Sequence, residues 1–216
     1  MKGLILKDFY LLKSYGKQYV LIFGAMIIYA LFMRSSSFAM IYFVLMGSTV
    51  VLSSMSMDEA VSFHKFALTM PVNLSTIIKS KYILFLITIG IGTAVSILME
   101  LVLTFVSSDA RIWISFGREE FAATVTVFVL ANAISIPFMF KLGVEKARYI
   151  NICSMLAVGG FLVISATMGD KIGLSIGRLD EILSSNEFVG LCIAIGVISL
   201  TVSYLVAVKI AENKEW

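Results

Sequence analysis

Residues 82–99 read YILFLITIGIGTAVSILM, a stretch without a single charged side chain. A helix of about 20 apolar residues spans the hydrocarbon core of a lipid bilayer, which is roughly 30 Å thick. Further uncharged runs lie between clusters of charge at residues 18–33, 35–57, 121–140, 149–169 and 188–208. The pattern predicts an all-α, polytopic membrane protein with six transmembrane helices.

The composition supports a membrane location. Hydrophobic residues make up 59% of the chain and charged residues 14%, against roughly one half and one quarter in soluble domains. The runs also lack the alternation of β-barrel strands, and a helix satisfies its own backbone hydrogen bonds in lipid. We therefore expect residues 1–216 to form a single transmembrane domain, with spans at about 18–34, 37–57, 82–107, 121–140, 149–168 and 188–208.

The distribution of basic residues predicts the orientation. Twelve of the 17 Lys and Arg residues fall in the amino-terminal segment, in residues 58–81, in residues 141–148 and after residue 208. Because basic residues concentrate on the cytoplasmic side, both termini of this multi-pass chain are expected in the cytoplasm. The lysines flank the spans without any nucleic-acid motif. Anionic lipids are therefore the expected partner, and nucleic acid is not.

Residues 1–17 are long enough for a helix before the first span. On a helical wheel, Leu4 and Phe9 lie on a broad apolar arc and Lys13 lies on another face. This predicts an amphipathic interfacial helix in the cytoplasmic headgroup layer. Asp8 interrupts the apolar arc, which favours packing against a partner helix over contact with lipid alone. A positively charged leader that only sets the topology remains the alternative.

The connection between the second and third spans, residues 58–81, is the most informative loop. Its opening acids suit the positive end of a helix dipole, and Pro71 stops that helix. Asn73 or Ser75 then caps a second helix that runs into the third span. The apolar side chains of this connection would form an exposed hydrophobic patch in water, so a cytoplasmic partner is expected to cover them. The residues expected to contact it are Asp58, Glu59, Phe63, His64, Lys65, Phe66, Leu68, Met70 and Pro71.

Motifs in the first part of the chain resemble those of a known family. The segment MDE at 57–59 is followed by LTMPV at 68–72 and IIKSKY at 77–82, and LKDFYLLK at 6–13 precedes them. This combination resembles bacterial type-2 ATP-binding-cassette (ABC) exporter permeases of the small, six-span type.

The resemblance implies that the 58–81 hairpin contains a coupling helix, which sits in a groove of a separate ATPase subunit. The amino-terminal helix would be the interfacial elbow beside it, and the elbow residues are Lys7, Asp8, Phe9 and Lys13. Such permeases lie in the bacterial plasma membrane and pair as homodimers or heterodimers above two ATPase subunits. Within the group, the chain is similar to permeases that export amphipathic peptides, such as phenol-soluble modulins, or that protect the cell against peptide antibiotics.

No stretch of the sequence matches the phosphate-binding pattern GxxxxGK[S/T]. We therefore expect ATP and Mg²⁺ on the partner subunit, and the chain is not expected to be an enzyme by itself. His64 is the only histidine, and one histidine cannot assemble a metal site or a catalytic triad alone. No catalytic, metal or cofactor residue is predicted on this chain.

Two residues within the spans have two interpretations each. Glu100, in the third span, either lines a translocation path or outer gate or simply reaches the outer interface. Pro137, near the end of the fourth run, either forms a hinge or ends its helix.

The leading functional prediction is the membrane subunit of an ATP-driven exporter of amphipathic or hydrophobic cargo, with peptides expected and lipids equally suited. A stand-alone secondary transporter or channel of unknown substrate is the alternative. It would call for ionisable groups near the bilayer midplane and often an internal repeat, of which the sequence offers only the off-centre Glu100. A membrane enzyme ranks third because the chain lacks reactive residues.

Overall fold

The computed structural model describes residues 2–14, 16–33, 37–61, 63, 73–106, 118–172 and 186–213. Regular structure in these ranges is α-helical throughout, as predicted. The helices are α1 (Lys2–Ser14), α2 (Gly16–Met33), α3 (Ser37–Ala60), α4 (Leu74–Val106), α5 (Arg118–Leu142), α6 (Val144–Ile172) and α7 (Asn186–Glu212).

Within the described ranges, four segments are long and apolar enough to cross a membrane. They are Ile41–Ala60, Leu74–Val102, Phe121–Leu142 and Glu187–Glu212. These segments coincide with the predicted second, third, fourth and sixth spans. A shorter apolar segment, Val20–Tyr29, lies in α2, and α6 covers the predicted fifth span, so these two crossings stay predictions. Apolar helices of this length are those of a membrane-embedded protein.

The ends of the predicted 58–81 hairpin belong to the long helices. Helix α3 continues to Ala60 and α4 begins at Leu74. Asp58 therefore lies in the last turn of α3 and does not open a separate helix, which corrects the sequence-based interpretation. Asp58 and Glu59 mark the change from the apolar span to a polar sequence, but the helix continues through both residues. The prediction of a helix entering the third span is confirmed, with Asn73 as its cap position: the Asn73 carbonyl accepts from the Thr76 N–H at 2.9 Å.

The chain separates into two compact units, one containing α1–α4 and the other α5–α7. In the first unit, α3 and α4 run antiparallel at very short range. A Cβ atom at Gly47 would lie 2.6 Å from the Thr88 carbonyl oxygen, and one at Gly92 would lie 2.6 Å from the Phe43 carbonyl oxygen. Small residues allow membrane helices this close approach. Helix α1 contacts α2, α3 and α4.

In the second unit, α5 contacts both α6 and α7. The α5–α6 contact includes buried hydrogen bonds donated by polar side chains of α6. Asn151 Nδ2 donates to Ser135 Oγ at 2.9 Å, and Ser154 Oγ donates to the Ala131 carbonyl oxygen at 3.4 Å. From Asn151 to Ser154 the residue number rises along α6, whereas it falls from Ser135 to Ala131 along α5. The two helices are therefore antiparallel.

A single residue, Gly143, connects α5 to α6. Its φ angle is 85°, a left-handed conformation that glycine adopts without steric cost. The Gly143 N–H donates to the Met139 carbonyl at 3.1 Å, and the Gly143 carbonyl accepts from the Ala147 N–H at 3.2 Å. This is the usual chemistry of a helix that ends on glycine. It reverses the chain within one residue.

Replacement of Gly143 by alanine is expected to lower the free energy of unfolding by about 1 kcal/mol, because a Cβ atom is disfavoured in the left-handed region. Denaturant titration of the purified protein in detergent micelles measures this change. Gly190→Ala in α7 is the control, since a Cβ atom there meets nothing within 4 Å. Equal effects of the two substitutions would contradict a conformational requirement at Gly143.

Candidate functional site

Four charged side chains from three helices meet inside the first unit. Lys7 and Asp8 come from α1, Asp58 from the end of α3 and Lys81 from the second turn of α4. The Asp8 and Asp58 side chains are 1% exposed, Lys81 is 2% exposed and Lys7 is 27% exposed. We call these four residues the charge cluster.

Lys81 lies at the centre of the charge cluster. Its Nζ atom donates to Asp8 Oδ1 at 2.9 Å and Oδ2 at 3.1 Å, and to Ser54 Oγ at 2.8 Å. Asp58 Oδ2 is 2.6 Å from the same nitrogen. That contact lacks the angles of a hydrogen bond, so it is an electrostatic contact of the Lys81 ammonium group. The buried Lys81 ammonium group thus offsets part of the negative charge of both the Asp8 and the Asp58 carboxylate.

Lys7 completes the cluster at its partly exposed edge. Its Nζ atom donates to Asp58 Oδ1 at 2.5 Å and lies 3.4 Å from Asp8 Oδ1. Two cations face two anions, so the formal charge of the cluster is zero. Buried charges are costly to remove from water and are tolerated when they are paired and hydrogen-bonded. The arrangement therefore holds α1, α3 and α4 to one another as long as all four partners are present.

The cluster also reaches the connection that follows α3. Lys7 Nζ lies 3.5 Å from the centroid of the Phe63 ring, a cation–π contact. Phe63 is one of the residues expected to contact a cytoplasmic partner. The Lys7 ammonium group therefore contacts Asp8 on α1, Asp58 at the end of α3 and Phe63 in the segment beyond α3.

Local sequence explains why these charges point inward. On α3, Ser54 and Asp58 are four residues apart and so share a helix face. On α4, Ile78 and Phe85 lie three residues before and four residues after Lys81, and both are fully buried. Lys81 therefore lies on the core-facing stripe of α4, where its aliphatic stem packs among apolar side chains.

The other predicted residues are not part of the cluster. Glu59 and Lys13 are exposed, and Phe9 is 40% exposed. Glu100 is half-buried on α4, about 28 Å along the helix from Lys81 at 1.5 Å per residue. His64, Lys65, Phe66, Leu68, Met70 and Pro71 lie outside the described residues.

Sequence reasoning missed Ser54 and Lys81 as site residues. In the sequence, Lys81 stands out as a charge that sets the topology and as part of the IIKSKY motif, but not as a buried ion-pair partner. One available signal was Asp8, whose place in an apolar arc favoured a partner helix, and this prediction is confirmed by its ion pair with α4. The unmatched acid in α1 could have prompted a search for a buried basic residue elsewhere.

The charge cluster is suited to holding helices together. Its members are paired with one another, and it contains no histidine or cysteine. In the described part of the chain, no three His, Cys, Asp or Glu side chains come together as a set of metal ligands.

Comparison with known proteins identifies the family. Neither the curated proteins nor the solved structures give a match. The family described as ABC-2 family transporter protein matches residues 3–212, which covers both units and every member of the charge cluster. The chain therefore belongs to the ABC-2 family of transporter proteins, as a membrane-embedded permease.

Proposed function

We propose that this chain is the membrane subunit of an ATP-driven ABC exporter, and that residues 58–81 couple it to a separate cytoplasmic ATPase subunit. The family match over residues 3–212 is the observation that carries this proposal. The absence of a phosphate-binding motif from the sequence supports placing ATP and Mg²⁺ on the partner. A second copy of the chain or a paralogue completes the dimer in the bacterial plasma membrane.

The charge cluster supports the coupling role. It ties both ends of the connection between α3 and α4 to α1, through Asp58 on one side and Lys81 on the other. Opening such a buried network would leave a charge without a partner, at a cost of about 3–5 kcal/mol. A push on the connection is therefore transmitted to α1, α3 and α4 together, because separating them costs more than moving them as a group.

The cargo in this proposal is amphipathic or hydrophobic, and peptides are the expected class. The resemblance to peptide exporters suggests the class, and the apolar character of the spans agrees with it. Glu100 would line the translocation path or the outer gate from its half-buried place on α4. An acid within a candidate membrane-spanning segment is the kind of group that marks a transport route.

The docking part of the proposal predicts that Glu59→Arg and Leu68→Asp weaken association with the ATPase subunit. Glu59 is exposed at the end of α3 and is not a member of the charge cluster. Leu68 belongs to the apolar set expected at the contact, and loss of such an anchor weakens an interface by about tenfold or more. The measurement is the dissociation constant of the two purified subunits in lipid nanodiscs, together with the rate of ATP hydrolysis by the complex.

Glu187→Arg is the matched control, because Glu187 is also exposed and lies in the first turn of α7, on the predicted outer side. It should leave both quantities unchanged. Wild-type affinity and hydrolysis in the Glu59 and Leu68 variants would refute docking through this segment. Cargo movement by the purified chain without an ATPase would favour a stand-alone transporter.

A further inference from the structure

Pro137 removes a hydrogen bond from inside α5. The helix runs from Arg118 to Leu142, so Pro137 lies within it and does not end it. Proline has no N–H group, and the carbonyl four residues earlier therefore loses its usual donor. That carbonyl belongs to Ala133, which is 6% exposed. Within a membrane there is no bulk water to take the place of the missing donor.

A side chain from another helix supplies the missing donor. Ser203 Oγ, on α7, donates to the Ala133 carbonyl oxygen at 2.5 Å, and the Ser203 residue is 5% exposed. In contrast, Ser199, one turn earlier on α7, donates to the Gly196 carbonyl of its own helix. Ser203 thus donates to the α5 carbonyl that would receive the N–H of residue 137 if that residue were not proline.

The neighbourhood leaves room for α5 to bend at this point. A groove of about 400 Å³ lies between α5 and α7 beside Ala133, Pro137 and Ser203. The groove is open to the outside, since Ile134 and Phe138 in its wall are both exposed. In the same part of α5, Asn132 Oδ1 is buried and accepts no hydrogen bond from the described residues. The groove therefore gives α5 space on the α7 side, while hydrogen bonds from Asn151 and Ser154 hold the α6 side.

We infer that Pro137 and Ser203 form a latched hinge in the second unit. With the Ser203–Ala133 hydrogen bond made, α5 and α7 are fixed together across the proline. With the bond broken, the last turn of α5 swings into the groove, and the Gly143 connection moves with it. Ser203 acts as a positioning residue through the α5 backbone. The inference stands on the geometry of α5 and α7 and does not depend on coupling to an ATPase.

A double-mutant cycle tests the latch. In the wild-type background, Ser203→Ala leaves a buried carbonyl without a donor and is expected to raise the unfolding equilibrium constant by about three- to tenfold. In the Pro137→Ala background, a new backbone N–H at residue 137 serves the Ala133 carbonyl, and the effect of Ser203→Ala on this constant should be smaller by about twofold or more than in the wild-type background. Ser199→Ala, in the wall of the same groove, is the control and should have equally small effects in both backgrounds. Equal effects of Ser203→Ala in the two backgrounds would overturn the latch.

The hinge has a separate structural readout. Spin labels at positions 141 and 209, both exposed, report the distance between the end of α5 and α7 in phosphatidylglycerol nanodiscs, with Cys153 and Cys192 replaced by alanine. Ser203→Ala is expected to broaden this distance distribution or to add a second population, and Pro137→Ala to narrow it. Ser199→Ala should leave the distribution as in the wild type. An unchanged distribution in the Ser203→Ala variant would overturn the hinge.

Discussion

Replacement of Lys81 by methionine is expected to lower the free energy of unfolding by about 3–5 kcal/mol, because it leaves a buried carboxylate without its partner. Methionine resembles the lysine stem in length, so the packing among Ile78 and Phe85 is largely kept. What is lost is the ammonium group that contacts Asp8, Asp58 and Ser54. Lys7 then remains as the one cation between two buried anions. Denaturant titration in detergent micelles measures the change.

Two comparison variants separate charge from packing. Lys79→Met removes an exposed lysine from the same turn of α4 and should change the free energy of unfolding by less than about 0.5 kcal/mol. The double variant Asp8→Asn with Lys81→Met removes one cation and one anion, which leaves the Lys7–Asp58 pair neutral. It should recover about half of the loss, since the uncompensated charge is gone although a buried polar group remains. A Lys81→Met protein as stable as Lys79→Met would mean that the cluster does not hold the helices.

The same double variant separates stability from coupling. In the proposed mechanism, the tie between α1 and α4 carries the push from the connection into the membrane. A folded double variant that still binds the ATPase subunit should therefore hydrolyse ATP with reduced cargo movement. Unreduced movement would show that α1 does not take part in transmission.

The sequence was a good guide to which segments are helices and a poor guide to which faces meet. The uncharged runs correctly located α3, α4, α5 and α7, because hydrophobic length is a local property that needs no knowledge of neighbours. The inward orientation of the Lys81 side chain was harder to predict. A lysine at the membrane boundary has the same local sequence whether its side chain extends to the headgroups or turns inward to Asp8. The bond from Ser203 to Ala133 depends on the register of two helices far apart in the chain. Nothing local to either residue predicts it.

The glycines of α4 illustrate the same difficulty. Gly90 and Gly92 lie two residues apart in one apolar run, and the sequence gives no reason to distinguish them. In the structure, a Cβ atom at Gly90 would meet nothing within 4 Å, whereas one at Gly92 would press on the backbone of α3. A neighbouring backbone cannot rotate away as a flexible side chain can, so the two helices themselves must separate.

Gly92→Ala is therefore expected to destabilise the protein by about 1–3 kcal/mol, the usual cost of overpacking a close contact. Gly90→Ala is the matched control and should be neutral or stabilise the protein by up to about 1 kcal/mol, because alanine favours a helix more than glycine does. Denaturant titration in micelles should thus show that Gly92→Ala lowers the free energy of unfolding, whereas Gly90→Ala raises it or leaves it nearly unchanged. Equal effects would mean that α3 and α4 do not approach as closely as described.

A second substitution tests whether the helices respond as a unit. A Cβ atom at Gly92 would lie 3.5 Å from the Gly47 Cα atom, so both positions belong to one crossing point. Once α3 and α4 have moved apart to make space for one alanine side chain, part of the space for the second alanine is already present. Gly47→Ala with Gly92→Ala should then cost less than the sum of the single substitutions, by about 0.5 kcal/mol or more. Strict additivity would indicate separate local adjustments at Gly47 and Gly92. The charge cluster joins the same two helices about three turns away. If the helices separate together, the Lys81 contacts should also weaken, and Lys81→Met should then be less costly in the double-alanine background.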